Sequence, residues 1–213
     1  RVDGGVIPPE QSIPNLDGYR GSRPVRVGNA AESQLQLDLY GELLDCVFIC
    51  ESMGDATMRE HWPHLRALAD FIAAHWREAD SGIWEVRDKP RHFVHSKATA
   101  WLGLQRAIWF KEKFDLEGDS ARWRQEAQAL RTQVLEQGVS ADGSYLMRAY
   151  GEEAMDASLL RLAIGGFIDG DSELFRRTIE TIQAELGAPG DIEGLLLRYL
   201  PDAGDGLPGG EGA

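Results

Sequence analysis

The chain has 213 residues, 43% hydrophobic and 27% charged, which is enough to bury a sizeable core and excludes disorder as its main state. Its 22 basic and 35 acidic residues leave a net charge of −13, which argues against a nucleic-acid or anionic-membrane partner. No stretch approaches the roughly 20 apolar residues of a membrane span.

Residues 1–28 are rich in Gly, Pro and Arg and have no apolar period, so they are expected to form an irregular arm. A helical pattern then starts near Asn29. Leu35, Leu39, Leu43 and Val47, joined by Leu44 and Phe48, recur every three or four residues. Cys46 and Cys50 lie in this run, four apart, and are expected to be core thiols rather than a disulfide. That usage makes a reducing cytoplasm the default location. Gly54-Asp55 breaks the run, with Asp55 a candidate N-cap.

Met58, Trp62, Leu65, Leu68, Ile72 and Trp76 predict a second amphipathic helix ending near Arg77. A third is expected from about Ser96 to Phe114 and a fourth from about Ser120 to Gln137. A fifth is expected over Ala157 to Ile164 and a sixth over Ser172 to Leu186. Residues 29–186 thus give about six helices, with long connections at alternate positions. From Gly187 on, Gly, Pro and Asp dominate, and residues 187–213 read as a pocket loop. The chain starts at Arg1 and stops at Ala213, and both ends read as cut from something longer. The fold class expected from this rhythm is all-α, a ring of helical hairpins with its long loops at one end.

Chemistry concentrates in the connection Asp80-Ser81-Gly82-Ile83-Trp84-Glu85-Val86-Arg87. A carboxylate beside an indole can be desolvated and kept protonated as a general acid. Arg87, two residues on in an extended piece, would point the same way as Glu85. An exposed Glu-Arg pair on a surface turn is the competing reading, and spacing alone favours it. Arg20, Arg23 and Arg26 form a basic cluster in an acidic protein, suited to sugar hydroxyls or to holding acidic loops. Gln34, Gln36, Asp38, Tyr40 and Glu42 alternate with Leu residues and line either a polar cavity or a solvated face. His92 and His95 are three apart, but no third ligand follows at a recognisable interval, so no metal is expected. No cofactor motif is present, and Gly165-Gly166 lacks the Lys and Ser/Thr of a phosphate loop.

Several segments together resemble glycoside hydrolase family 15, the glucoamylase and microbial trehalase group. They are Gly21-Ser22-Arg23-Pro24-Val25-Arg26-Val27-Gly28-Asn29, Gln36-Leu37-Asp38-Leu39-Tyr40-Gly41-Glu42, and Ser81-Gly82-Ile83-Trp84-Glu85-Val86-Arg87. His92-Phe93-Val94-His95-Ser96-Lys97, Asp156-Ala157-Ser158-Leu159-Leu160, Leu197-Arg198-Tyr199 and Asp205-Gly206-Leu207-Pro208-Gly209-Gly210-Glu211 complete the set. The resemblance covers essentially the whole chain and reverses the odds on Glu85.

It implies an incomplete (α/α)6 toroid and exo-hydrolysis of an α-glucosidic bond with inversion. Glu85 would be the general acid. Arg198 would hydrogen-bond the terminal glucose, Trp84 would form a pocket wall, and Arg23 and Arg26 its rim. Arg87, Tyr40 and Glu211 would be further substrate contacts. The partner would be an α-glucoside or oligosaccharide. The family's base resembles a Ser-Glu-Glu or Ser-Glu-Gln motif, and neither occurs in this sequence. The 213-residue chain is therefore expected to be inactive alone, and weakly stable because apolar helix faces stay open. The alternative is a non-catalytic carbohydrate-binding or regulatory helical domain.

Overall fold

The computed structural model describes residues 3, 5–54, 58–86, 89–187 and 194–200. The chain divides into two compact units, Arg1–Leu35 and Gln36–Ala213.

The first unit holds more regular structure than the irregular arm expected. Strand β1 (Gln11–Ile13) pairs antiparallel with β2 (Val25–Val27), in the register Gln11↔Val27, Ser12↔Arg26 and Ile13↔Val25. Gly28 leaves β2 with φ +80°, and a Cβ there would lie 2.4 Å from the Pro9 carbonyl, so only glycine fits. Asn29 then caps a 3-10 turn (Ala30–Ser33), its side chain accepting the Ala31 N–H at 2.9 Å. Three-residue strands are too short for alternation to stand out in sequence.

The second unit is helical, with α1 (Leu37–Ser52), α2 (Met58–His75), α3 (Val94–Phe114), α4 (Ser120–Gln137), α5 (Arg161–Ile164) and α6 (Glu173–Leu186). A 3-10 turn, Ala157–Leu160, runs directly into α5. Helix α3 is the axis of the unit, buried on nearly every side from Val94 to Phe110, and α1, α2 and α4 pack around it. Helices α1 and α3 cross closely because glycine meets glycine. A Cβ on Gly103 would lie 2.8 Å from the Gly41 Cα, and one on Gly41 would lie 2.1 Å from the Thr99 carbonyl oxygen. Trp123 is fully buried between α4 and α2 and donates its indole N–H to Asp70 at 2.9 Å. Helix α6 starts at an N-cap Ser172 and buries Phe175, Thr178, Ile182 and Leu186.

The face of α1 differs from expectation. Leu37, Asp38, Gly41 and Leu44 are buried, whereas Leu39, Leu43, Ile49 and Met53 are exposed. Cys46 and Cys50 share the exposed side, outside any disulfide, so they are not core thiols. The Gly41–Gly103 crossing sets this rotation, since it forces the narrow side of α1 inward. The candidate cap Asp55 lies outside the described residues. No helix among the described residues is long and apolar enough to cross a membrane.

Three long connections meet at the N-terminal end of α3. Isolated bridges link Asp80 to Arg91, Phe93 to Ala149, and Asp156 to Tyr199. The Val94 N–H donates to the Arg148 carbonyl at 3.0 Å, which ties the α4–α5 connection to the first turn of α3.

Candidate functional site

The turn that carries Glu85 is built by two left-handed residues. Gly82 has φ +68°, and a Cβ there would press to 2.8 Å from the Phe93 ring. Glu85 has φ +52°, a conformation that side-chain-bearing residues seldom adopt outside sites that need it. The Glu85 N–H closes the turn on the Gly82 carbonyl at 3.1 Å, and the Val86 N–H returns to the Ser81 carbonyl at 3.1 Å. The outcome is an exposed Glu85 carboxylate between an inward Trp84 and a buried Val86. At this exposure the indole alone does not desolvate Glu85 as expected.

Trp84 packs on a small apolar cluster of Val86, Phe93 and Ala149. Its indole N–H donates to both carboxylate oxygens of Asp156, each at 3.0 Å. The Arg198 guanidinium sits 5.3 Å from the Trp84 ring centre and 5.8 Å from that of Tyr199. The two rings are 6.2 Å apart and tilted. Behind them lies Arg148, 1% exposed, with ion pairs of 3.8 Å to both Asp156 and Glu152. Glu152 in turn pairs with Arg91. A small pocket of about 10 Å³ lies among Ile83, Trp84, Phe93, His95, Arg148 and Asp156. Burial pushes the Asp156 carboxyl up, and the hydrogen bonds from Ser158 and Trp84 and the Arg148 charge hold it down.

Trp84, Glu85 and Arg198 therefore come together, and the other candidates do not join them. Tyr40 is half-buried and stacks on Phe71, ring centres 4.3 Å apart, between α1 and α2. Arg23 and Arg26 belong to the first unit, where they pair with Asp17 and, at 3.1 Å, with Glu10. Arg87 and Glu211 lie outside the described residues. His92 stacks on Tyr150 at 5.4 Å. His95 is buried in α3, and burial with the Arg161 charge lowers it to about 4. Among the described residues no group of three or more His, Cys, Asp or Glu is placed to hold a metal ion.

Beneath the turn lies a second polar group. Asp80, fully buried, accepts the Leu37 N–H at 3.1 Å and the Gly82 N–H at 3.3 Å, so it joins the start of α1 to the Glu85 turn. Lys97 Nζ, also fully buried, donates to the Trp76 carbonyl at 2.6 Å and to that of Glu78. Asp38 is 6% exposed, and its Oδ1 has no hydrogen-bond partner among the described residues. Burial and the nearby Asp80 raise the Asp38 carboxyl to about 6.

That shift has a stability consequence. A carboxyl raised in the folded state favours folding below its unfolded pKa and loses that contribution as pH rises through its folded value. For Asp38 the window runs from about 4 to about 6, and ionisation costs roughly 3 kcal/mol at about 1.4 kcal/mol per unit. Asp38→Asn carries no such cost. Its stability relative to wild type is expected to rise by about 1–3 kcal/mol between pH 4 and pH 7. Urea denaturation at the two pH values checks this, and a pH-independent difference would refute it.

The comparisons with known proteins agree with the geometry. The model of the glycosyl hydrolases family 15 matches residues 2–213. The chain belongs to glycoside hydrolase family 15. A trehalase of Mycobacterium tuberculosis is 37% identical over 204 residues, covering 95% of this chain and 29% of that protein. A trehalase of Thermoplasma volcanium is 36% identical, covering 96% of this chain and 32% of the relative. This chain thus spans about a third of these relatives' length. Among solved structures, a glycosidase in complex with glucose superposes with a TM-score of 0.67 at 23% identity, over 79% of this chain and 44% of the other. A bacterial glucoamylase complexed with acarbose gives 0.59 at 16% identity, over 78% and 27%. At these identities the likeness shows the fold: the helices form part of an (α/α)6 toroid of the glucoamylase kind.

Asp156, Arg148 and Tyr199 were not singled out as site residues in the sequence. Asp156 carries two signals, its place in the Asp156-Ala157-Ser158-Leu159-Leu160 segment and an N-cap pattern, for which the Ser158 N–H donates to it at 2.8 Å. Arg148 carried none, since nothing in its neighbourhood separates a buried arginine from a surface one.

Proposed function

We propose that the protein to which this chain belongs removes glucose from the end of an α-glucoside, hydrolysing the glycosidic bond with inversion at the anomeric carbon. The observation that carries the reading is the Gly82–Glu85 turn of a family 15 chain. That turn aims an exposed carboxylate beside an indole that also meets an arginine. Glu85 is the general acid that protonates the leaving oxygen. Trp84 is the pocket wall, and Arg198 donates to hydroxyls of the terminal glucose. Arg87, Tyr40 and Glu211 supply further contacts once sugar is bound, with residues 187–213 as a pocket loop. Trehalose leads the substrate candidates because the M. tuberculosis and T. volcanium relatives are trehalases. Two exposed cysteines outside a disulfide fit a reducing cytoplasm.

Inversion needs a second carboxylate about 6.5–9.5 Å from the acid, to activate water on the opposite face of the sugar. Neither Ser-Glu-Glu nor Ser-Glu-Gln occurs in these 213 residues, and the base is assigned to residues outside them. The whole protein is expected to release glucose first as the β-anomer from maltooligosaccharides, and as equal amounts of the α- and β-anomers from trehalose, as followed by proton NMR. The 213-residue chain alone is expected to release none. Initial glucose that is all α from either substrate would remove inversion, and robust release by the short chain would place the base within it.

A further inference from the structure

The reading above leaves a buried acid unused. Asp156 is 3% exposed, yet it is spent neither on the surface nor on a simple ion pair. Both of its oxygens take the Trp84 indole N–H at 3.0 Å, one of them also caps the turn at Ser158, and the Arg148 guanidinium lies 3.8 Å away. Its backbone is tied to the third connection as well. Asp156 bridges to Tyr199, and the Ala157 N–H donates to the Arg198 carbonyl at 2.9 Å. One residue therefore holds the ring that precedes Glu85 and the segment that carries Arg198. These segments lie 72 positions and more than 40 positions away in the chain, so no local interaction could set their spacing.

We propose that Asp156 is a positioning residue, which fixes the Trp84 ring through its indole N–H and so sets the distance between the Glu85 turn and Arg198. This rests on the assignment of Glu85 and Arg198 to the sugar site. A tryptophan in an apolar wall can flip or slide when its N–H is unheld. Here a charge-assisted bond to a carboxylate pinned by Arg148 removes that freedom. Glu85, the next residue in a strained turn, follows the ring. Displacing a reacting group by about 1 Å can cost about 100-fold in rate.

The test uses the whole protein labelled with 15N at tryptophan. The Trp84 indole signal is assigned by its loss in Trp84→Phe. In the wild type this N–H is expected to be protected from solvent exchange, and in Asp156→Asn to shift and exchange faster. Asp156→Asn is expected to lower kcat about 10- to 100-fold while KM changes less than about 3-fold. Trp84→Phe keeps an aromatic side chain of smaller size, removes the donor, and serves where Asp156→Asn fails to fold. It is expected to lower kcat about 10-fold, and Asp156→Asn added to it should cost less than about 2-fold more.

An indole signal unmoved by Asp156→Asn, or independent multiplying effects of the two substitutions, would overturn the proposal. Glu85→Gln run alongside separates the two levels. Turnover that survives it removes the catalytic reading and this inference together. Turnover lost in Glu85→Gln but retained in a folded Asp156→Asn removes the inference alone.

Discussion

Glu85→Gln in the whole protein is expected to lower kcat on trehalose or maltose by about 10²–10⁴-fold, the range of a positioned general acid. Substrate binding should stay nearly unchanged, because glutamine keeps the shape and one oxygen acceptor. It also keeps the backbone problem constant. Both residues must sit at φ +52°, so the strain of the turn is common to wild type and variant.

The size of the loss should depend on the leaving group. An α-glucosyl fluoride needs little protonation on departure, and the variant's deficit on it should be far smaller than on a disaccharide. A uniform loss across both substrate types would point instead to a general distortion of the turn. Unchanged turnover on disaccharides would remove Glu85 as the acid.

Helices with one buried face were legible in the sequence. The periods through Met58, Trp62, Leu65 and Ile72, through Trp123, Ala127, Leu130 and Val134, and through Phe175, Ile182 and Leu186 became the buried faces of α2, α4 and α6. Helix α1 misled because its apolar residues cover two faces. A period of three and four chose the stripe through Leu39 and Leu43, and packing chose the side where Gly41 admits α3. Glycine contributes nothing to a hydrophobic period, so the contact that sets the rotation is invisible to it.

The site divides in the same way. Trp84 and Glu85 stand together in a recognisable motif. Asp156 and Arg148 matter only because three connections converge at the head of α3, and convergence over more than 40 residues leaves no spacing to read. The exposed apolar residues Leu39 and Leu43 on α1, with Met53 just past its end, are more than a solitary exposed residue. They belong to a chain that spans about a third of its relatives' length.

The largest stability effect is expected at Lys97. Lysine is almost never fully buried without partners, and this one is at 0% exposure. Its ammonium answers two needs at once. It accepts the role of C-terminal cap for α2 by donating to the carbonyls of Trp76 and Glu78, just beyond the last helical residue His75. It also supplies the positive charge that opposes the burial of Asp80. Burial pulls Lys97 itself down to about 8, so it remains largely charged at neutral pH.

Lys97→Met fills the same space and removes both services. It leaves two carbonyls short of a donor and a buried carboxylate short of its cation, a loss of about 3–5 kcal/mol by analogy with other broken buried pairs. For a domain of this size that corresponds to a fall of about 6–20 °C in melting temperature. Asp80→Asn in the same chain should restore part of it, because the uncompensated charge is then gone. The sign with pH is also fixed. The folded state binds fewer protons than the unfolded one between pH 8 and 10.5 at this residue, so wild-type stability gains from Lys97 as pH rises through that window and the Met variant does not. Thermal melts of the three proteins at pH 7 and pH 9.5 measure each part, and a Met variant as stable as wild type at both would show that the ammonium supports neither α2 nor Asp80.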